Sequence, residues 1–120
     1  MNVADSPGLC DFIVPSVVSR GALRIAISTS GVSPALARRI REELEKRYGR
    51  RYGDFLGLME KGRERIIKEV PRSEERRRVF EALTAEGFLG KFLKKSRGEG
   101  KTFFEEKLTE LLSRAGSDHV

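Results

Sequence analysis

Residues 12–28 hold the chain's β-rich stretch, and whatever they form cannot fold alone. Phe12-Ile13-Val14-Pro15-Ser16-Val17-Val18 and Ala22-Leu23-Arg24-Ile25-Ala26-Ile27-Ser28 are apolar and rich in β-branched residues. Between them, Ser19-Arg20-Gly21 supplies a glycine for a tight connection, so the stretch predicts a β-hairpin. Pro15 has no N–H to donate, which places its strand at an edge or at a bulge. Two strands alone are at best marginal in water. Helices, or a second chain, must therefore cover the hairpin.

The rest of the sequence reads as helix. Ser33 is a good N-cap, and Pro34 falls at the first helical position, where its missing N–H costs nothing. The helix that follows sets Leu36, Ile40 and Leu44 on one face beside Ala37, and Gly49 ends it near Tyr48. Asp54 is the cap expected for a second helix, which runs through Phe55, Met59, Ile66 and Val70 until Pro71. Ser73 is the cap expected for a third, with Glu74 and Glu75 in its first turn and Val79, Phe80 and Leu83 inside. Gly87 is expected to interrupt this run ahead of a short helix over residues 88–95, and residues 96–100 read as a loop. Thr102 and Glu105 have capping-box spacing before Phe103, Leu108, Leu111 and Leu112. The fold class is α+β, an N-terminal hairpin followed by four to five helices. The expected divisions are 1–11, 12–53 as a hairpin-helix region, 54–115 as a helical region, and a disordered tail over 116–120.

Charged residues make up 35% of the 120 and hydrophobic ones 38%, which suits helices with long solvated faces. The net charge of +6 makes an anionic partner plausible without choosing among nucleic acid, acidic lipid and a polycarboxylate. A single cysteine, Cys10, excludes an internal disulfide and fits a reducing compartment. No apolar run approaches the length of a membrane span and no signal peptide is visible, so cytoplasmic residence is the default expectation.

Candidates for chemistry are few. His119 and Cys10 each stand alone, and no cluster has zinc spacing. Ser28-Thr29-Ser30-Gly31-Val32-Ser33-Pro34 joins a strand to a helix N-terminus, where free N–H groups, hydroxyls and the dipole favour an anion; on the residues alone a cap with a polar turn is the plainer account. No G-x-G-x-x-G or Walker pattern is present. The clusters around Arg38, Arg39 and Arg41, around Arg47, Arg50 and Arg51, and at Arg76-Arg77-Arg78 could form a nucleic-acid footprint. Interleaved Glu42, Glu43, Glu45, Glu74 and Glu75 favour solvated helix faces instead. Asp5, before Ser6-Pro7, reads in isolation as a turn residue.

Taken in order, these segments resemble one family. Asn2-Val3-Ala4-Asp5 is similar to the N-V-V-D segment of the precorrin-2 dehydrogenase/sirohydrochlorin ferrochelatase family, the N-terminal part of siroheme synthases. Cys10-Asp11-Phe12-Ile13-Val14-Pro15-Ser16 resembles its F-I-x-P strand. Residues 23–39, LRIAISTSGVSPALARR, resemble its most specific stretch, an apolar strand, S-[ST]-x-G-x-S-P and then A-L-A-R. Glu75-Arg76-Arg77-Arg78-Val79-Phe80-Glu81 resembles its E-R-R-R-F-W-E segment. The likeness covers residues 2 to about 95. Ala4 replaces the usual second valine, and Thr29 stands where some members have serine.

The resemblance implies a Rossmann domain that binds NAD, a hairpin-and-helix domain that dimerises by exchanging strands, and a helical domain that closes the substrate cleft. Since the sequence begins after the Rossmann fingerprint, the NAD-binding domain is expected to be absent from this stretch, and the fragment alone inactive. The family oxidises precorrin-2 to sirohydrochlorin with NAD, and many members then insert ferrous iron as a second substrate. Asp5 matches the aspartate implicated as general base for both steps. Asn2, Arg20, Arg24, Ser28, Thr29, Ser30, Gly31, Ser33 and Arg38 are the residues this resemblance suggests for holding the carboxylated tetrapyrrole. The implied partners are a second copy and that tetrapyrrole, with no nucleic acid and no membrane, and no protein metal ligands. A non-enzymatic dimerisation module and a basic nucleic-acid-binding helical domain are the alternatives.

Overall fold

The computed structural model of the chain describes residues 14–117. Two strands, β1 (Ser16–Arg20) and β2 (Leu23–Ile27), are followed by five helices: α1 (Pro34–Arg47), α2 (Arg51–Glu69), α3 (Ser73–Leu83), α4 (Glu86–Leu93) and α5 (Arg97–Ser117). The α+β class read from the sequence is the one observed. The chain divides into two compact units, Met1–Gly53 and Asp54–Val120.

In the first unit β1 and β2 pair antiparallel, with Val18 opposite Ile25 and Arg20 opposite Leu23. The turn is therefore Gly21-Ala22, one residue later than Ser19-Arg20-Gly21 suggested. Gly21 has φ +61° while Ala22 does not share the left-handed conformation. Positive φ at the first central position alone is the type II′ pattern, whose twist matches that of the strands. Pro15 immediately precedes β1, where no ladder bond is asked of it. Phe12 and Ile13, the expected start of this strand, lie outside the described residues. Helix α1 packs on one face of the hairpin and covers Val18, which is fully buried. The other face, with Val17, Ser19, Arg24 and Ala26, is exposed.

Ser33 caps α1 as expected: its Oγ accepts from the Leu36 N–H at 3.2 Å, and Pro34 takes the first position. Leu36 departs from the predicted apolar face. It is 48% exposed, while Ala37 beside it is buried.

The second unit is built on Phe55, Ile66, Val70, Val79, Leu83, Phe92, Phe104, Leu108 and Leu112. Phe55 meets the rings of Phe92 and Phe104 edge-on, at 5.2 and 5.6 Å between centroids. Each such pair contributes about 0.5–1.5 kcal/mol beyond the area it buries. Gly62 lets α2 approach α5, since a Cβ there would stand 3.2 Å from Leu108 Cδ2.

Four helix boundaries differ from the sequence reading. α2 begins at Arg51, because Tyr52 and Gly53 already donate to the carbonyls of Gly49 and Arg50; Asp54 lies inside the first turn. Ser73 is the first residue of α3 and Arg72 the capping position, without a side-chain cap. The break before α4 falls at Thr84-Ala85, where the Thr84 hydroxyl donates to the carbonyls of Phe80 and Glu81; Gly87 is inside α4. α5 begins at Arg97, because Ser96 and Glu99 form the capping pair expected of Thr102 and Glu105. The Glu99 N–H donates to Ser96 Oγ at 3.3 Å, and that hydroxyl donates to Glu99 Oε1 at 2.8 Å. These bonds from the Ser96 side chain and backbone hold the Glu99 carboxyl below its ordinary pKa.

Gly53 abuts the hairpin tip so closely that a Cβ on it would lie 2.9 Å from the Arg20 carbonyl carbon and oxygen. Gly57, one turn on, faces open space. Gly53→Ala should therefore lower stability by about 1–3 kcal/mol through a backbone clash. Gly57→Ala should raise it by about 0.5–1 kcal/mol through helix propensity. Urea denaturation of the two variants checks the opposite signs.

Candidate functional site

Strand β2 ends at Ile27 and α1 begins at Pro34, so residues 28–33 must reverse the chain within a few residues. They do so with a turn in which the Val32 N–H donates to the Thr29 carbonyl at 3.0 Å. Its central residues, Ser30 at φ +57° and Gly31 at φ +80°, are both left-handed, the type I′ pattern. Glycine adopts this freely, whereas serine is strained there by about 1–2 kcal/mol. A local bond offsets part of the cost, as the Ser30 N–H donates to Ser28 Oγ at 3.1 Å.

The loop consumes its own backbone donors. The Ser33 N–H goes to Thr29 Oγ1 at 2.9 Å, Leu36 N–H to Ser33 Oγ, and Ala37 N–H to the Ser33 carbonyl at 3.1 Å. Backbone groups at 30, 32, 33, 36 and 37 are thus satisfied within the segment. What remains for a ligand is mainly hydroxyl. Ser28, Thr29 and Ser33 each accept a backbone N–H and keep an O–H to donate. Ser30 and Gly31 are exposed at the tip. The arrangement suits hydrogen bonding to carboxylate oxygens better than wrapping a pyrophosphate in main chain.

The candidate arginines separate into two kinds. Arg24 lies on the exposed face of β2, the face that Ala26 and Ser28 also occupy, and Arg38 is exposed on α1. Among the described residues neither side chain takes part in a hydrogen bond or ion pair, so both guanidinium groups stand open to an anion. Arg20 is committed elsewhere. Its Nε donates to the Tyr48 carbonyl at 2.8 Å, Nη2 to the Glu45 carbonyl at 3.3 Å, and Nη1 to the Ser19 carbonyl at 3.2 Å. These acceptors include orphan carbonyls at the C-terminal end of α1, where the helix dipole also favours a cation. The 14-residue helix separates that end from the serine loop by roughly 20 Å. The structure therefore brings together Ser28, Thr29, Ser30, Gly31 and Ser33, sets Arg24 and Arg38 on the elements flanking them, and places Arg20 apart. Asn2 and Asp5 lie outside the described residues, as do Cys10 and His119.

Most other basic clusters are laced to carboxylates. Arg39 pairs with Glu43, Arg41 with Glu45 at 2.9 Å, Arg72 with Glu75, and Arg77 with Glu74 and Glu81. Among the described residues no group of His, Cys, Asp and Glu is placed to hold a metal ion. No helix among them is long and apolar enough to cross a membrane. Sequence reasoning missed two features of this unit. Val32, within the loop, is 84% exposed, and Leu36 in the first turn of α1 is 48% exposed. Glu45 and Tyr48 seat Arg20 through backbone carbonyls, which leave no mark in a sequence.

Residues 20–47, from the end of β1 through α1, match the family model described as "Sirohaem biosynthesis protein central". The chain is 33% identical over its whole length to a siroheme synthase of Pseudomonas paraeruginosa, covering 26% of that protein. It is 40% identical over 98% of its length to a siroheme synthase of Xylella fastidiosa, covering 25% of it. A siroheme synthase of Methylococcus capsulatus is 37% identical over 82% of this chain, which covers 21% of it. The chain thus spans about a quarter or less of the length of these curated relatives. Among solved structures, one titled "SirC, precorrin-2 dehydrogenase" superposes with a TM-score of 0.63 at 23% identity, covering 81% of this chain and 46% of that one. At that identity the likeness concerns the fold.

If Arg20 is a clamp and Arg24 and Arg38 are open, alanine substitutions should part them cleanly. Arg20→Ala should cost about 1.5–3 kcal/mol, the range for hydrogen bonds made by a charged group. Arg24→Ala and Arg38→Ala should each stay within about 0.5 kcal/mol of the parent, as exposed substitutions usually do. Thermal and urea unfolding of the three proteins measures the split.

Proposed function

We propose that this chain is part of a siroheme synthase, whose family model and relatives it matches, and forms the dimerisation and tetrapyrrole-binding portion of that enzyme of siroheme biosynthesis. In this reading the complete enzyme oxidises precorrin-2 to sirohydrochlorin with NAD, the step after which many members of the family insert ferrous iron as a second substrate. The observation that carries the reading is the hydroxyl-lined loop between β2 and α1, inside the family-matched residues, with open Arg38 early in the helix it starts and open Arg24 about 13 Å back along the strand it ends. A macrocycle rimmed with carboxylates needs several hydroxyl and guanidinium donors spread over a surface; Ser28, Thr29, Ser30, Ser33, Arg24 and Arg38 supply them, and Gly31 shapes the turn that presents the hydroxyls. Arg20 serves this site indirectly, by fixing the hairpin to the α1 that carries the loop.

The described residues do not fit NAD. The strand-to-helix loop has no glycine pattern for close approach to a pyrophosphate, and its backbone N–H groups are spent on Thr29, Ser28 and Ser33. We assign NAD to an N-terminal Rossmann domain of the complete enzyme and derive no step through it here. Iron is coordinated by the four macrocycle nitrogens in this reading, which asks no protein ligand of the chain. The basic clusters' pairing with Glu43, Glu45, Glu74 and Glu81 supports a solvated surface over a nucleic-acid footprint.

Asp5 is the general base. Oxidation requires a proton to leave the macrocycle, and chelation requires pyrrole N–H groups to lose theirs; a carboxylate at one position serves both. In the complete enzyme, Asp5→Asn keeps size and polarity but removes the ionisable oxygen. Dehydrogenation should fall by about a hundred- to ten-thousand-fold, and chelation with it, while NAD affinity stays near that of the parent. A turn aspartate would instead cost some stability and leave turnover within a few-fold. Steady-state rates of both reactions on the purified variant decide between the two.

A further inference from the structure

The helical unit carries an open groove of about 470 Å3 between α2 and α3, which the proposed function does not use. Its apolar floor is formed by Ile67, 46% exposed, and by the half-buried ring of Phe80. Two cations border the floor. Arg63 lies over the Phe80 ring at 5.6 Å from its centroid, and among the described residues no carboxylate pairs with it. Arg76 is steadied by donating from Nη2 to the Pro71 carbonyl at 3.3 Å, while its Nε is shielded from water and meets no acceptor. A third arginine in the wall, Arg77, is already neutralised by Glu74 and Glu81 at 3.5 and 3.6 Å.

We propose that this groove binds a small carboxylate with an apolar body, the body against Ile67 and Phe80 and the carboxylate on Arg63 and Arg76. The volume lies within the range of small-molecule sites. The floor favours a ring or hydrocarbon over a hydrated inorganic anion, which would gain nothing from it. Arg63 is pre-positioned by its stacking on Phe80, and a planar guanidinium matches a carboxylate through paired N–H donors. The groove lies wholly within the helical unit. The inference therefore stands or falls independently of the siroheme assignment.

The test is a two-dimensional amide NMR titration of the 120-residue chain with 2-naphthoate, beside its neutral amide and inorganic phosphate. The expected result is saturable shifts confined to residues 63–84, with 2-naphthoate at least fivefold tighter than either control. Arg63→Gln should weaken 2-naphthoate at least fivefold, and Ile67→Ser at least threefold. Both side chains are exposed, and each variant's unperturbed amide spectrum verifies its fold. Should either variant fail to fold, the other decides. Failure to saturate, shifts centred on Arg24 and Arg38, equal binding of phosphate, or unchanged affinity in the folded variants would each overturn the proposal.

Discussion

Arg20 ties the hairpin of the first unit to its helix. It ends β1 and reaches across to the C-terminal carbonyls of α1, so a strand and a helix far apart in sequence are joined by a single charged fork. A two-stranded ribbon has little of its own to keep it folded, and α1 covers only one of its faces. The Gly21 turn and Gly53 close the same corner by backbone contact, a Cβ at Gly21 coming within 3.0 Å of Gly53 Cα. These contacts orient α1 on the hairpin. The orientation of α1 in turn decides where the serine loop stands.

The loop then illustrates how a polar segment becomes a rigid platform. Its hydroxyls satisfy its backbone, which costs the site its main-chain donors but fixes the positions of the hydroxyls. A surface that must meet carboxylates spread around a large ring gains from donors fixed before binding, since less is lost in ordering them. The left-handed Ser30 is the strained point of this platform, held by the bonds on either side of it.

Much of this was legible in the residues. The β-branched run, Gly21, and the Ser33-Pro34 start specified a hairpin and then α1, because the relevant interactions are local. The helix starts were less legible for the same reason that caps are short: Ser96/Glu99 and Thr102/Glu105 share one spacing. What separates them is the burial of Gly100 in the first turn, whose N–H closes the first helical bond on the Ser96 carbonyl at 2.7 Å. Leu36 was misread because helical periodicity identifies a stripe without saying where its cover ends. Arg20 looked like a ligand-binding cation because its acceptors are backbone carbonyls 25 and 28 residues away, which no side-chain pattern announces.

The dimerisation half of the proposed role rests on the uncovered hairpin face. Val14, 78% exposed, and Val17 leave apolar surface on the one element that cannot bury itself, and a second copy of the same hairpin is the partner we propose for it. Sedimentation equilibrium of the chain at micromolar concentration measures this directly. The account predicts twice the 13.5 kDa chain mass, reverting to a single chain when Val17→Asp charges that face. A folded monomer at every concentration, unaltered by Val17→Asp, would contradict it.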